Sequence, residues 1–144
     1  METLILFLGL FFLLGSSPHG YTPIAENNSC VKEYNSKLNR NIYSYVGEFP
    51  EFPGGIEALM KYISKNRTID TNYIQGTLKF EIIIDVDGAI IDEKIPGKDP
   101  DTYTVADKDL LKTLRMMPKW KPGKCEKRKV PFRYPFLIHI NISY

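Results

Sequence analysis

Six apolar residues at every second position near the C-terminus, Phe132, Tyr134, Phe136, Ile138, Ile140 and Ile142, constrain this fold more than any other feature. Such alternation requires a strand with one buried face, because successive side chains on a strand point to opposite sides. Arg133, Pro135, Leu137, His139, Asn141 and Ser143 take the other face. A second run has the same period: Leu78, Phe80, Ile82 and Ile84 alternate with Lys79, Glu81, Ile83 and Asp85. Asp87-Gly88 then supplies a tight hairpin turn, since glycine tolerates positive φ, and Ala89 to Ile95 returns as the partner strand.

Two segments carry the helical period instead. Ile56, Leu59, Met60 and Ile63 fall at i, i+3, i+4 and i+7, one apolar face of a helix running to about Asn66. Leu110, Leu111, Leu114 and Met117 form the face of a second helix. Thr104 with Asp107 has the spacing of a capping box at its start, and Pro118 ends it. The fold class is α+β, in the order α-β-β-α-β, with an antiparallel sheet burying its apolar face under both helices. Pro131 and Pro135 lack amide donors, which places the last strand at a sheet edge.

The N-terminal third reads differently. Leu4 to Leu14 is an unbroken apolar run closed by Gly15-Ser16-Ser17. As a helix it spans about 16–20 Å, against a hydrocarbon core of about 30 Å, so it fits a secretory leader better than a membrane span. Residues 1–17 are assigned as a signal peptide or short membrane anchor, 18–46 as a polar linker and 47–144 as the folded domain. The chain beyond the leader is expected to be exported, to a periplasm or cell envelope. In an oxidising compartment Cys30 and Cys125 can pair, tying the linker to the domain; two unpaired thiols are the alternative.

Composition excludes little. The net charge is +2, yet from Lys108 onward ten Lys or Arg face only Asp109 and Glu126. That is either a surface for an acidic partner or a solvated rim. No His/Cys zinc pattern, phosphate-binding loop or nucleophile elbow is present. Asp85-Val86-Asp87-Gly88 lacks the rest of a calcium loop and reads as a hairpin. The expectation is therefore a non-enzymatic protein without cofactor or metal, and no nucleic-acid partner for an exported chain.

Three blocks, FPEFPGGIEALMKYISKN, GTLKFEIIIDVDGAIIDEKI and MPKWKPGK followed by KRKVPFRYPFLIHINI, resemble the TonB C-terminal domain of the kind common in Bacteroidetes. The resemblance covers about Val46 to Ile142. Phe52, Pro53, Gly54, Gly55, Pro118, Trp120, Pro122 and Gly123 carry its most specific motifs. It implies a three-stranded antiparallel sheet with two helices on one face. It also implies a protein-binding role, in which a partner segment pairs with the edge strand formed late in the domain. The segment implied for the family is the N-terminal stretch of an outer-membrane transporter. By position, the binding edge is Arg133 to Ile142, with Arg133, Leu137, His139 and Asn141 as contact residues. Three roles stay open: an exported interaction module of the envelope, a TonB-type energy transducer in transmembrane transport, and a secreted enzyme accessory. Strand exchange between two copies is a further use of the same edge.

Overall fold

The computed structural model describes residues 30–67 and 76–140, so the assigned leader, residues 18–29 of the linker and Asn141 lie outside the described residues. The elements are β1 (Val31–Asn35), β2 (Arg40–Tyr45), α1 (Gly55–Asn66), β3 (Gly76–Ile84), β4 (Ile90–Lys94), α2 (Val105–Arg115), β5 (Lys124–Cys125), β6 (Arg128–Lys129) and β7 (Phe132–Ile140). Among the described residues no helix is long and apolar enough to cross a membrane.

The α+β class and both helices match the reading of the sequence, whereas the sheet does not. It has five strands in the order β1-β2-β7-β3-β4, in place of three antiparallel ones. β3 and β7 pair antiparallel over their full length, from Gly76 opposite Ile140 to Ile84 opposite Phe132. β3 and β4 form the expected hairpin. The strand beginning at Phe132 is therefore the third of five in sheet order rather than an outermost strand. The added strands come from the segment assigned as linker: residues 31–45 form the β1–β2 hairpin, whose second strand runs parallel to β7 and pairs with it at Tyr43 and Phe132.

One face of the sheet holds the main core. Phe80, Ile82 and Ile84 of β3 lie under Leu59 and Ile63 of α1 and Leu110, Leu111 and Leu114 of α2. Tyr134, Phe136 and Ile138 of β7 pack against the same cluster, and the rings stack: Tyr134 on Phe136 at 4.4 Å and Phe136 on Phe80 at 4.6 Å. Ile56 departs from the expected helix face and is 61% exposed. It sits in the first turn, just after Gly54 and Gly55 set the direction of the chain with φ of 84° and 78°.

The start of α2 has the capping box its sequence announces. Thr104 Oγ1 accepts from the Asp107 amide, while the Asp107 carboxylate accepts from the Thr104 amide and is bridged by Lys98 Nζ at 2.7 Å. Burial of Asp107 acts to raise its pKa, and the Lys98 and Thr104 hydrogen bonds outweigh that and hold it below the ordinary value. Replacing Thr104 by Ala is expected to lower stability by about 1 kcal/mol in urea titration. The Asp107 contribution is present in full above the unfolded carboxylate pKa of about 4 and vanishes as pH falls through the lower folded value. The wild type is thus expected to lose stability below about pH 4 more steeply than Asp107→Asn.

The second face is covered in part. Ile83, which alternation turns away from the helices, is only 3% exposed, and Ile42 of β2 is fully buried. Ion pairs show what lies over this face. Lys37, in the β1–β2 turn, pairs with Asp92 of β4; Arg40 pairs with Asp85 at the end of β3; Glu33 of β1 pairs with Arg133 of β7. In a flat sheet β2 and β4 would stand three spacings apart, about 14 Å. The hairpin therefore folds back across the face of β7, β3 and β4 and forms a third layer. The Cys30–Cys125 disulfide, with Cα atoms 6.0 Å apart, ties its first strand to β5.

Candidate partner-binding edge

Backbone direction along β7 decides what its free side can offer. The Tyr43 amide donates to the Pro131 carbonyl at 2.9 Å, on the side of β7 turned away from β3. Peptide groups alternate along a strand, so Arg133, Pro135, Leu137 and His139 direct their N–H and C=O groups to that outer side. Phe132, Tyr134, Phe136 and Ile138 direct theirs to β3. Pro135 therefore lacks an amide only on the outer side, which is why β7 accommodates a proline in mid-strand without losing a bond to β3.

β2 follows this outer side only at Tyr43 and Phe132 before the hairpin turns over the back of the sheet. Among the described residues, no strand pairs with the outer side of β7 beyond that point. β7 is thus central in strand order, yet among the described residues no strand pairs with the outer side of its second half. Of the edge expected over Arg133 to Ile142, the described part left open runs from Pro135 to Ile140, and Asn141 and Ile142 lie outside the described residues. It offers carbonyls at Pro135, Leu137 and His139 and amides at Leu137 and His139.

The expected contact residues fare unequally. Leu137 is 59% exposed on the hairpin side of the sheet. His139 has an outward backbone and stands opposite Thr77 of β3. The Arg133 guanidinium is engaged by Glu33 and Glu81, the latter 3.2 Å from Nε, and links the hairpin to the sheet. Asn141 lies outside the described residues.

The motif residues form a brace beside this edge. The Phe49–Phe52 segment runs against the strand entering β5, with paired backbone hydrogen bonds joining Glu48 to Lys124 and Glu51 to Lys121 at 2.8–3.1 Å. Phe52 and Trp120, both buried, meet edge to face at 5.4 Å. Gly123 is buried, and a side chain there would press on Pro50 Cδ at 3.0 Å. The segments that carry the two prolyl-glycyl motifs are joined because Glu48 and Glu51 pair with Lys124 and Lys121. Pro118 follows α2 where the chain leaves the helix, and Pro53 stands in the turn that enters α1.

Between this brace and β7 lies a narrow, mostly apolar groove of about 70 Å³ whose lining includes Pro50, Phe52, Ile56, Trp120, Tyr134 and Phe136 together with the charged Glu51. It runs beside the helix-facing side of the open edge, while Leu137 stands on the opposite side. Trp120, 4% exposed, carries an indole N–H with no acceptor among the described residues.

The basic surplus of the C-terminal part is largely neutralised in three dimensions. Arg115 meets Glu93, Lys119 meets Asp87, Lys121 meets Glu51, Lys124 meets Glu48 and Arg128 meets Glu126, besides the Arg133 pairs. The Lys124 hydrogen bond holds Glu48 below the usual carboxylate range, and the Lys119 bond does the same for Asp87. The rim is a lattice of exposed pairs rather than a cationic patch. The sequence had no signal for the hairpin layer beyond the turn-forming Asn35 and Asn39, the latter with a φ of 53°. Comparison of the chain with protein-family models, with curated proteins and with solved structures returns no match.

Proposed function

We propose that the protein is an exported protein-binding module that takes up an extended partner segment on the outer side of β7. The observation that carries this reading is the unpaired stretch from Pro135 to Ile140, with exposed Leu137 on one side and an apolar groove on the other. Strand addition draws affinity from such backbone groups and selectivity from pockets that receive alternate side chains. The Cys30–Cys125 bond supports an oxidising compartment, and the three motif blocks support a TonB-like domain that captures a short segment of an envelope protein. No catalytic role is proposed.

A proline scan separates this from other modes of binding. Leu137→Pro removes an outward amide and leaves the β3 ladder intact, as Pro135 already does. Ile138→Pro would remove an amide facing β3 and break the sheet. A library of capped hexapeptides selected on the immobilised full chain is expected to yield binders that protect the Leu137 and His139 amides from hydrogen exchange. Leu137→Pro should weaken those binders at least about tenfold with an unchanged circular-dichroism spectrum. Selection of nothing, or binders indifferent to Leu137→Pro, would refute the edge. A concentration-dependent dimer abolished by Leu137→Pro would show instead that a second copy fills the site.

A further inference from the structure

A cleft of about 920 Å³ lies along β4, which supplies Ile91 to Lys94. Its walls belong to different layers: Tyr34 to Lys37 at the β1–β2 turn on one side, Lys98, Tyr103 and Arg115 on the other. Four ion pairs surround it. On the hairpin side Lys37 pairs with Asp92 and Lys94 with Glu81; on the helix side Arg115 pairs with Glu93 and Lys98 with Asp107. Exposure is divided unequally within each pair. The four cations keep 43–71% of their side-chain surface in solvent, against 9–17% for the four acids. The pairs are neutral in sum, yet the carboxylates lie underneath and the cation heads stand outside. Coulombic attraction falls with distance, so an anion arriving from solvent meets the cations first and at closer range.

The backbone of β4 adds a short anchor. Leu78, Phe80, Ile82 and Ile84 of β3 face β7, so Glu81 and Ile83 face β4. Their partners Lys94 and Asp92 therefore turn to β3, and Glu93 between them directs its N–H and C=O outward. Among the described residues no strand pairs with that side. The next outward amide, that of Ile95, donates to Tyr103 Oη at 3.2 Å, and towards the turn the register shifts between Ile83 and Ile84. So short an irregular edge is poorly suited to strand addition through its backbone alone.

We propose that this cleft is a second docking site, which takes an acidic peptide segment in extended form. Successive side chains of an extended chain point to opposite sides. One carboxylate then reaches Lys37 and Lys94, and the next reaches Arg115 and Lys98. A run of consecutive Asp or Glu matches both walls, whereas a segment with acids at every second position matches only one. The Glu93 backbone sets the register, and charge supplies the affinity. β3 stands between this cleft and β7, so the site is separate from the outer side of β7 and does not rest on the reading given above.

The probes are capped hexaglutamate, hexaglutamine and hexagalacturonate, titrated against the full chain while its amide resonances are recorded. Hexaglutamate is expected to shift the resonances of Lys37 and of Ile91 to Lys98 and to slow exchange at the Glu93 amide. Its affinity should fall at least about tenfold as salt rises from about 0.01 M to about 0.1 M and the Debye length shortens from about 30 Å to about 10 Å. At equal charge, a hexapeptide with three consecutive glutamates should bind about threefold or more tighter than one with glutamate and glutamine alternating. Lys37→Gln combined with Lys94→Gln should weaken hexaglutamate at least about tenfold, and Leu137→Pro should leave it unchanged. Equal binding of hexaglutamine, or shifts centred away from β4, would overturn the site. Hexagalacturonate that binds the cleft more tightly than hexaglutamate without slowing the Glu93 amide would show an acidic glycan in place of a peptide. Loss of hexaglutamate binding in Leu137→Pro would assign the peptide to β7 instead. The salt dependence and the Glu93 amide are read in the unaltered protein, so the test stands even where the lysine variant does not fold.

Discussion

Removing the Cys30–Cys125 bond, by reduction or by replacing both residues with serine, is expected to lower the unfolding free energy by about 4–5 kcal/mol. The estimate follows from the loop entropy released when a cross-link spanning 95 positions is lost. Such a loss approaches the whole stability of a small domain. The structure also says where the loss is felt. The hairpin is held to the sheet by the disulfide, by one stretch of backbone pairing at Tyr43, by exposed ion pairs and by the burial of Ile42 and Val46. Exposed ion pairs each contribute well under about 1 kcal/mol, so the covalent tie and the two apolar side chains dominate. Hydrogen exchange on the reduced protein should show the amides of β1 and β2 losing protection before those of β3 and β7. A midpoint in urea unchanged by reduction would mean that the hairpin holds without its tie.

Gly88→Ala is expected to cost about 3 kcal/mol or more. Gly88 has a φ of 87°, in the left-handed region that side chains avoid, and a Cβ placed on it would lie 1.9 Å from the Trp120 carbonyl oxygen. Both mechanisms belong to the short list that produces large single-residue effects. The contact cannot be relieved locally, because Gly88 O accepts the Trp120 amide and Gly88 N donates to Asp85 O at 2.9 Å. The β3–β4 turn must therefore move away from the strand that carries Trp120. Urea titration reads the energy, and the emission of the single tryptophan reads the displacement. A variant with wild-type midpoint and emission would show that the turn does not bear on Trp120.

Much of the main core could be read from periodicity. The two-residue period of β3 and the helical period of Leu59, Ile63, Leu110, Leu111 and Leu114 each mark a deeply buried face, and the two-residue period of β7 marks a partly buried one packed against them. The Thr104–Asp107 capping box was legible because its chemistry is local to four residues. The hairpin was not legible for the opposite reason. It lies on the sheet instead of forming part of the core, its first strand is mostly exposed, and Ile42 is the one residue of β1 and β2 that is buried. No stripe can show in such a segment, and what anchors it is long-range: a cysteine 95 positions away, and acids of β3 and β4 facing Lys37 and Arg40. Pro135 misled in an instructive way. A proline excludes pairing on one side of a strand, and the sequence cannot say which side. Here it is the outer one, so the strand is paired on one flank and partly open on the other. Arg133 looked available from its alternating position, and only the fold brings Glu33 and Glu81 to it.

The position of β7 has a consequence for how the chain assembles. β1 with β2 and β3 with β4 are hairpins closed by short turns, so each can form from neighbouring residues as soon as it is made. Among the described strands β7 alone pairs through its backbone with both hairpins, and it is the last of them in chain order. Two local units must therefore wait, without a backbone ladder between them, until the final strand pairs with both. Pairing across long sequence separations is slow, and during that delay the apolar faces of β3 and α1 have no complete cover. With two cysteines in the chain there is one intrachain pairing to make. Oxidation before β7 arrives thus cannot scramble the connectivity within a molecule. It can only close the right loop early or link one molecule to another, and the yield of monomer on refolding should fall with protein concentration.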